Sequence, residues 1–145
     1  MTEVIGIDHI YMTVSDRIRS ENFYDLTLKD TLGFRKNEFV INYDPHVQYF
    51  NRHFSFVIRT ANNGPSYNSY APGLHHLCFR VESIEDVMVI ENRLRSLGVE
   101  VSTAQNYPEY ARDYWAIFVT DPDGIRLEIT NYRQERKERH DKWCS

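Results

Sequence analysis

The sequence predicts an α+β fold in which one pattern (strand, helix, then about three strands) occurs twice. Three observations predict it. First, Gly6-Ile7-Asp8-His9-Ile10-Tyr11-Met12-Thr13-Val14 aligns with Gly73-Leu74-His75-His76-Leu77-Cys78-Phe79-Arg80-Val81 at an offset of 67 residues, with Gly, His and Val matched. Second, a helix signal follows each copy and ends in Leu32-Gly33-Phe34 or Leu97-Gly98-Val99, now at an offset of 65 residues. Third, strand-like runs close each copy. A chain of 145 residues suits one structural domain made of two such halves, each too small to bury an adequate core alone.

Each element has a local cause. The two aligned segments are apolar and β-branched and follow a Gly, as strands do. In the second copy Ser83 is a good N-cap with Asp86 three residues on. Ile84, Val87, Ile90, Leu94 and Leu97 then make one apolar stripe, and Gly98 sits where a left-handed cap belongs. In the first copy Ser15 or Ser20 serves as the cap, Tyr24, Leu28 and Leu32 stack at i, i+4, and Gly33 ends the helix. Tyr114 to Val119 and Ile125 to Thr130 form a hairpin about Asp121-Pro122-Asp123-Gly124, a type I turn sequence. His46 to Phe50 and Phe54 to Arg59 play the same parts in the first copy. Asn62 to Pro72, rich in Asn, Ser, Gly and Pro, is the linker. Residues 1–66 thus make the first module with the start of the linker, 67–132 the second, and 133–145 a charged helical tail. Glu135 with Arg139 and Glu138 with Lys142 are favourable i, i+4 pairs in that tail.

Composition narrows the function classes. The 17 Lys and Arg against 21 Asp and Glu give a formal net charge of −4, without the basic footprint of a nucleic-acid binder. No apolar run approaches a membrane span of roughly 18 residues. The start, MTEVIGIDHI, lacks the pattern of a signal peptide. Two cysteines, Cys78 and Cys144, are too few for a disulfide framework, so a cytoplasmic home is expected.

The repeated His is the first candidate for chemistry. If the halves pack about a pseudo-twofold axis, His9 and His76 face each other across one cleft, and two neutral imidazoles suit a divalent metal. In the strand after the turn, Ile125, Leu127 and Ile129 lie on one face while Arg126, Glu128 and Thr130 lie on the other. The apolar face meets the helix layer, so Glu128 points into the cleft. A mid-strand carboxylate there is poorly placed unless something pairs it. His75, next to His76, is turned by strand alternation to the opposite face, a structural position. His53 shares a face with Ser55, and His46 and His140 belong to the surface. Cys78 and Tyr11 lie two residues after the matched His in each copy, on the same side. Tyr107, Tyr110 and Tyr114 crowd a loop beside the predicted cleft and offer apolar rings with polar tips. Arg59 and Arg126 share the predicted inner faces and can meet an anionic oxygen.

GLHHLCFRV, the helix ending in SLG, and DYWAIFVTDPDGIRLEI resemble the vicinal oxygen chelate superfamily, the glyoxalase, bleomycin-resistance and extradiol-dioxygenase group. GIDHIYMTVSD and NFYDLTLKDTLGF extend the resemblance into the first half, where it is weaker. The resemblance implies two tandem βαβββ modules forming curled mixed sheets around a metal-binding cleft. It implies one divalent metal ion on His9, His76 and Glu128, with Glu128 also the catalytic carboxylate. A fourth ligand is usual in glyoxalase I-type members, near the end of the first module's last strand. That place falls to Ser55 or Val57, and neither is a plausible ligand. Two His and one carboxylate match a facial triad with open positions, suited to Fe, Ni, Zn or Mn.

The expected function is that of a metal-dependent enzyme of this superfamily, with the metal as Lewis acid. It acts on a small substrate with adjacent oxygens, as a lyase, an isomerase or a ring-cleaving dioxygenase. Candidate substrate contacts are Tyr11, Ser55, Val57, Cys78, Tyr107, Tyr110, Tyr114 and Arg126. Fosfomycin-resistance members typically carry a small hydroxyl or thiol residue where this chain has Tyr11, which counts against that activity. No second carboxylate suited to a general base is evident, since Glu109 sits on a loop. The competing expectation is a metal-free, drug-sequestering binding protein of the bleomycin-resistance type. A homodimer is expected, with no nucleic-acid or membrane partner.

Overall fold

In the computed structural model, residues 2–144 are described. The chain divides into two compact units, Met1–Tyr67 and Asn68–Ser145, each with its own open, four-stranded mixed sheet.

The first unit runs β1 (His9–Val14), α1 (Arg17–Tyr24), a π-helical segment (Asp25–Lys29), β2 (Arg35–Ile41), β3 (Asp44–Phe50) and β4 (Ser55–Thr60). Its strand order is β1-β4-β3-β2. β1 and β4 are parallel, with His9 opposite Ser55 and Tyr11 opposite Val57, while β2, β3 and β4 pair as antiparallel hairpins. One face of the sheet is apolar. Met12, Val14, Val47, Tyr49, Phe56 and Ile58 are buried there, along with Tyr24 and Leu28. The Tyr24 ring lies 4.9 Å from that of Phe56.

The helix start departs from the expected caps. Asp16 is the N-cap, its carboxylate accepting from the Arg19 backbone N–H at 3.1 Å. Ser15 receives the Arg19 guanidinium instead, and Ser20 is buried inside the helix with no hydrogen-bond partner for its hydroxyl. The i, i+4 run through Leu32 also changes character. After Tyr24 the turn widens, with Asp30 N–H reaching Asp25 C=O and Leu32 N–H reaching Thr27 C=O. Thr27 and Thr31 donate their hydroxyls to the carbonyls of Phe23 and Leu26, competing with the backbone for those acceptors. Gly33, at φ +72°, ends the segment in the left-handed region.

The same widened turn presents Asp25 to the sheet. Lys36 Nζ lies 2.6 Å from Glu21 and 3.0 Å from Asp25, and the Tyr49 hydroxyl donates to Asp25 at 2.8 Å. Burial disfavours the Lys36 charge, but the carboxylates of Glu21 and Asp25 outweigh it and hold the ammonium above its ordinary value of 10.5. Burial, reinforced by Asp25, pushes the Tyr49 hydroxyl above its ordinary value of 10.0. Both groups therefore hold their protons more tightly folded than unfolded. The stability this confers is complete below about pH 10 and falls as pH rises further. Denaturant midpoints measured from pH 8 to pH 11 are expected to drop at the alkaline end, and less steeply in Tyr49→Phe. An equal drop in both proteins would contradict the assignment.

The second unit repeats the plan with β5 (Leu77–Val81), α2 (Ile84–Ser96), β6 (Gln105–Asn106), β7 (Trp115–Thr120), β8 (Arg126–Asn131) and α3 (Gln134–Asp141). Its order, β5-β8-β7-β6, matches that of the first unit. β5 and β8 are parallel, with Cys78 opposite Glu128. Ser83 and Asp86 form a reciprocal capping box on α2, Val87, Ile90 and Leu94 are buried, and Gly98 takes φ +77°. The Asp121–Gly124 turn closes as expected, with Gly124 N–H on Asp121 C=O at 3.0 Å. The Asp121 carboxylate braces it through the N–H groups of Asp123 and Ile125. The tail is helical and buries none of its residues. Glu138 approaches Lys142 at 4.0 Å, while Glu135 is engaged by Arg133 rather than the expected Arg139. No helix among the described residues is long and apolar enough to cross a membrane.

Candidate metal-binding site

The two registers decide which residue of the first unit corresponds to Glu128. Glu128 pairs with Cys78, two residues after His76. Tyr11, two residues after His9, pairs with Val57. Val57 is therefore the counterpart of Glu128, and Ser55 that of Arg126. Val57 is 3% exposed, and its isopropyl group has no donor to offer a cation.

In the second unit, every β8 residue from Leu127 to Asn131 is buried, on both faces of the strand. Glu128, on the face opposite Leu127 and Ile129, is only 4% exposed. A buried carboxylate needs partners; the Cys78 thiol is one, and each oxygen meets another. The Tyr114 hydroxyl donates to Oε1. Oε2 lies 3.3 Å from His76 Nε2. That separation is long for a charge-assisted hydrogen bond, typically about 2.7–2.9 Å. It suits two donors of one cation. Ligand atoms each about 2.1 Å from a shared ion, at an angle of roughly 90–110°, lie about 3.0–3.4 Å apart.

Both matched imidazoles are oriented by the residue before them. His9 Nδ1 lies 2.7 Å from Asp8 Oδ2, and His76 Nδ1 lies 2.7 Å from His75 Nδ1. Each His thus has Nδ1 engaged and Nε2 as the remaining ring nitrogen, the usual arrangement behind a metal-binding imidazole. This corrects the alternation argument for His75. β5 begins only at Leu77, so residues 75 and 76 are not constrained to opposite faces, and their rings meet edge to face at 5.0 Å. His9 is more open than the second-unit pair, with a side chain 55% exposed. Among the described residues no group of three or more His, Cys, Asp and Glu side chains is gathered as a cage. His76, just before β5, and Glu128, on β8, face each other within the second unit.

Cys78 neighbours this pair. Crowding by surrounding atoms, with the Glu128 charge adding to it, pushes its thiol up to about 12, so it remains a thiol at neutral pH. Burial and the contact with Glu128 likewise raise the Tyr114 hydroxyl, which stays protonated and donates. Tyr107 and Tyr110 stack at 5.4 Å, Tyr110 meets Tyr114 edge to face at 5.4 Å, and Tyr107 meets Phe118 at 5.8 Å. The predicted tyrosine cluster is therefore one packed group ending at Glu128. The Arg126 guanidinium lies 4.2 Å over the Phe118 ring, and Phe118 is the β7 partner of Glu128.

On the first unit, Tyr11 packs edge to face on both His9 and His46. His46 is not at the surface: it is buried, stacked on Phe39 at 4.9 Å, with Nδ1 on the Asp44 carbonyl. A hydrogen-bonded imidazole between two aromatic rings loses little by leaving water. Ser55 accepts from Gln48 at 3.0 Å. Arg59 is held by Asp44 at 2.6 Å and Asn62 at 3.1 Å. His53 lies outside the strand in the Asn51–Phe54 turn, exposed, with its backbone N–H on the Asn51 side chain, so it does not share the face of Ser55.

Asp8, His75 (expected only as a structural residue) and Asn131 lie outside the expected site set. The first two immediately precede the matched His at the same offset, which is a usable signal. Asn131 continues the apolar row of Ile125, Leu127 and Ile129, and a polar residue in that register has to be buried and bonded.

Residues 6–129 match the model of the Glyoxalase/Bleomycin resistance protein/Dioxygenase superfamily. The chain belongs to that superfamily. It is 30% identical to the uncharacterized protein YqjT of Bacillus subtilis (strain 168), over 83% of this chain and 94% of that one. It is 28% identical to metallothiol transferase FosB of Bacillus licheniformis, over 88% of this chain and 75% of the relative. Among solved structures, a glyoxylase/bleomycin resistance protein/dioxygenase domain from Frankia sp. EAN1pec aligns with TM-score 0.72 and 27% identity. It covers 90% of this chain and all of that domain.

Proposed function

We propose that the chain is a metal-dependent enzyme that binds one divalent ion through His9, His76 and Glu128 and acts on a small substrate with two adjacent oxygens. The observation that carries this reading is the second-unit pair. A buried carboxylate oxygen and an imidazole nitrogen stand 3.3 Å apart, and the other atoms of both groups are already engaged. A divalent ion held there supplies Lewis acidity to an oxyanion developing on the substrate. The first-unit His9, oriented by Asp8, is the third donor.

The chain's own residues shape the rest. Cys78 and Phe118 flank Glu128 on the sheet, and Arg126 lies over Phe118, where it can meet an anionic oxygen. Of the tyrosine cluster, Tyr114 meets the carboxylate directly. Among the described residues no second buried carboxylate stands beside the pair to act as a base, which favours chemistry in which the substrate arrives as a readily ionised catechol or enediol. Ring-cleaving dioxygenase reactions fit that description, while isomerase and lyase reactions require a base from another group. Thiol transfer, the activity in the name of the Bacillus licheniformis relative, is the competing assignment, and Tyr11 stands against its fosfomycin-directed form. A homodimer in the cytoplasm is the expected setting.

The test is turnover by protein stripped with chelator and reloaded with Fe, Mn, Ni or Zn. O₂ uptake with catechols reports dioxygenase chemistry, loss of a hemithioacetal reports isomerase chemistry, and thiol consumption reports transfer. The reading predicts one such activity, lost on stripping and regained on reloading. Tight binding of aromatic drugs by the stripped protein, with no metal-dependent turnover, would favour the drug-sequestering alternative.

A further inference from the structure

We propose that Tyr114 is a positioning residue for Glu128 and that Asn131 holds Tyr114 in place. This rests on the metal-site reading above and assigns Tyr114 a role other than substrate contact.

The Tyr114 hydroxyl is already used: it donates to Glu128 Oε1. That bond leaves Oε2 as the oxygen facing His76. Tyr114 itself precedes β7, where its C=O accepts from Tyr107 N–H at 2.7 Å. Asn131 adds a second hold, on the peptides to either side. Its Oδ1 accepts from Trp115 N–H at 3.0 Å and its Nδ2 donates to Asp113 C=O at 3.1 Å. The side chain thus pins the peptide on both sides of Tyr114. Asp113 sits at φ +56° in the left-handed region, which Asp tolerates better than most non-glycine residues. Thr130 adds a bond from its hydroxyl to Trp115 C=O at 2.8 Å. The Arg133 guanidinium lies 4.6 Å over the Tyr114 ring.

The economy of the arrangement is that β8 carries both ends of the contact. Glu128 is the acceptor, and Asn131, three residues on, fixes the backbone of the donor. A buried Asn at 4% exposure with both amide groups bonded to one loop has no packing rationale comparable to an apolar residue. Its two bonds are specific to the peptide that bears Tyr114.

Co²⁺ is the probe, with affinity read by chelator competition and the site by visible absorption. Wild type, Tyr114→Phe, Asn131→Ala and Glu128→Gln are compared, with thermal melts of the metal-free forms. Tyr114→Phe is expected to bind Co²⁺ about 10–100-fold more weakly. Its visible bands should weaken, because a released Oε1 can join Oε2 on the ion and raise the coordination number, while its metal-free form stays folded and melts a few degrees lower for want of the Tyr114 donor. Asn131→Ala should change both readouts in the same direction. If that variant does not fold, Asn131→Asp, which keeps the acceptor for Trp115 and loses the donor to Asp113, serves instead. Wild-type affinity and spectrum in Tyr114→Phe, with Co²⁺ lost in Glu128→Gln, would overturn this inference and leave the metal site standing. No Co²⁺ binding by wild type, or full binding by Glu128→Gln, would overturn both.

Discussion

Glu128→Gln is expected to weaken divalent-metal binding by more than about 100-fold while leaving the fold intact. Loss of an outer-shell partner alone typically costs about 10–100-fold in metal affinity, and this substitution removes the proposed anionic donor itself. The rest of the local structure should tolerate the change. Gln is close in shape, and its amide oxygen can still accept from Tyr114, which now donates to Glu128 Oε1. The amide nitrogen is left facing His76 Nε2 and can donate to it. Metal-free stability should therefore change by no more than about 1 kcal/mol. Titration calorimetry checks the first part and denaturant unfolding the second. A variant that loses stability but keeps its metal affinity would make Glu128 a structural residue.

Phe56→Ala is expected to have the largest effect on stability. Phe56 is fully buried, its ring is 4.9 Å from Tyr24, and it sits on β4 between β1 and β3. Truncation forfeits the ring's transfer energy and leaves a cavity that two flanking strands and a helix cannot collapse to fill. The cost for such a site is about 3–5 kcal/mol, against a total of about 5–15 kcal/mol for a domain. A fall in Tm of about 10–15 °C follows. Ser55→Ala, one residue away on the opposite face, removes only the acceptor of Gln48 and should cost about 1 kcal/mol or less. Equal losses in the two variants would show that the helix-side core is not where the unit's stability resides.

Much of this was legible because it is periodic. The duplicated GxxH segments, the stripe from Val87 to Leu94 and the Asp121–Gly124 turn each repeat a local rule, and the alternation through β8 correctly set Glu128 apart from Leu127 and Ile129. What was not legible depends on where a strand begins or how a turn is braced. His75 was assigned by alternation, but β5 starts two residues later. His46 was placed at the surface because nothing local shows that Phe39, from a different strand, covers it. Ser15 and Ser20 were as good as Asp16 by composition, and only the path of the first turn selects among them. The cluster of Glu21, Asp25, Lys36 and Tyr49 is tertiary, and no spacing announces it. The widened turn at Asp25–Lys29 combines that cluster with threonine hydroxyls on main-chain carbonyls.

The claim at the centre is that the matched His of each module and the single carboxylate serve one ion. The most direct measurement is metal content per chain, by elemental analysis of untagged protein after dialysis, for wild type beside His9→Ala and His76→Ala. One divalent ion per chain in wild type, and less than a tenth of that in either variant, is the predicted result. Full occupancy in His9→Ala, or no stoichiometric metal in wild type, would contradict it.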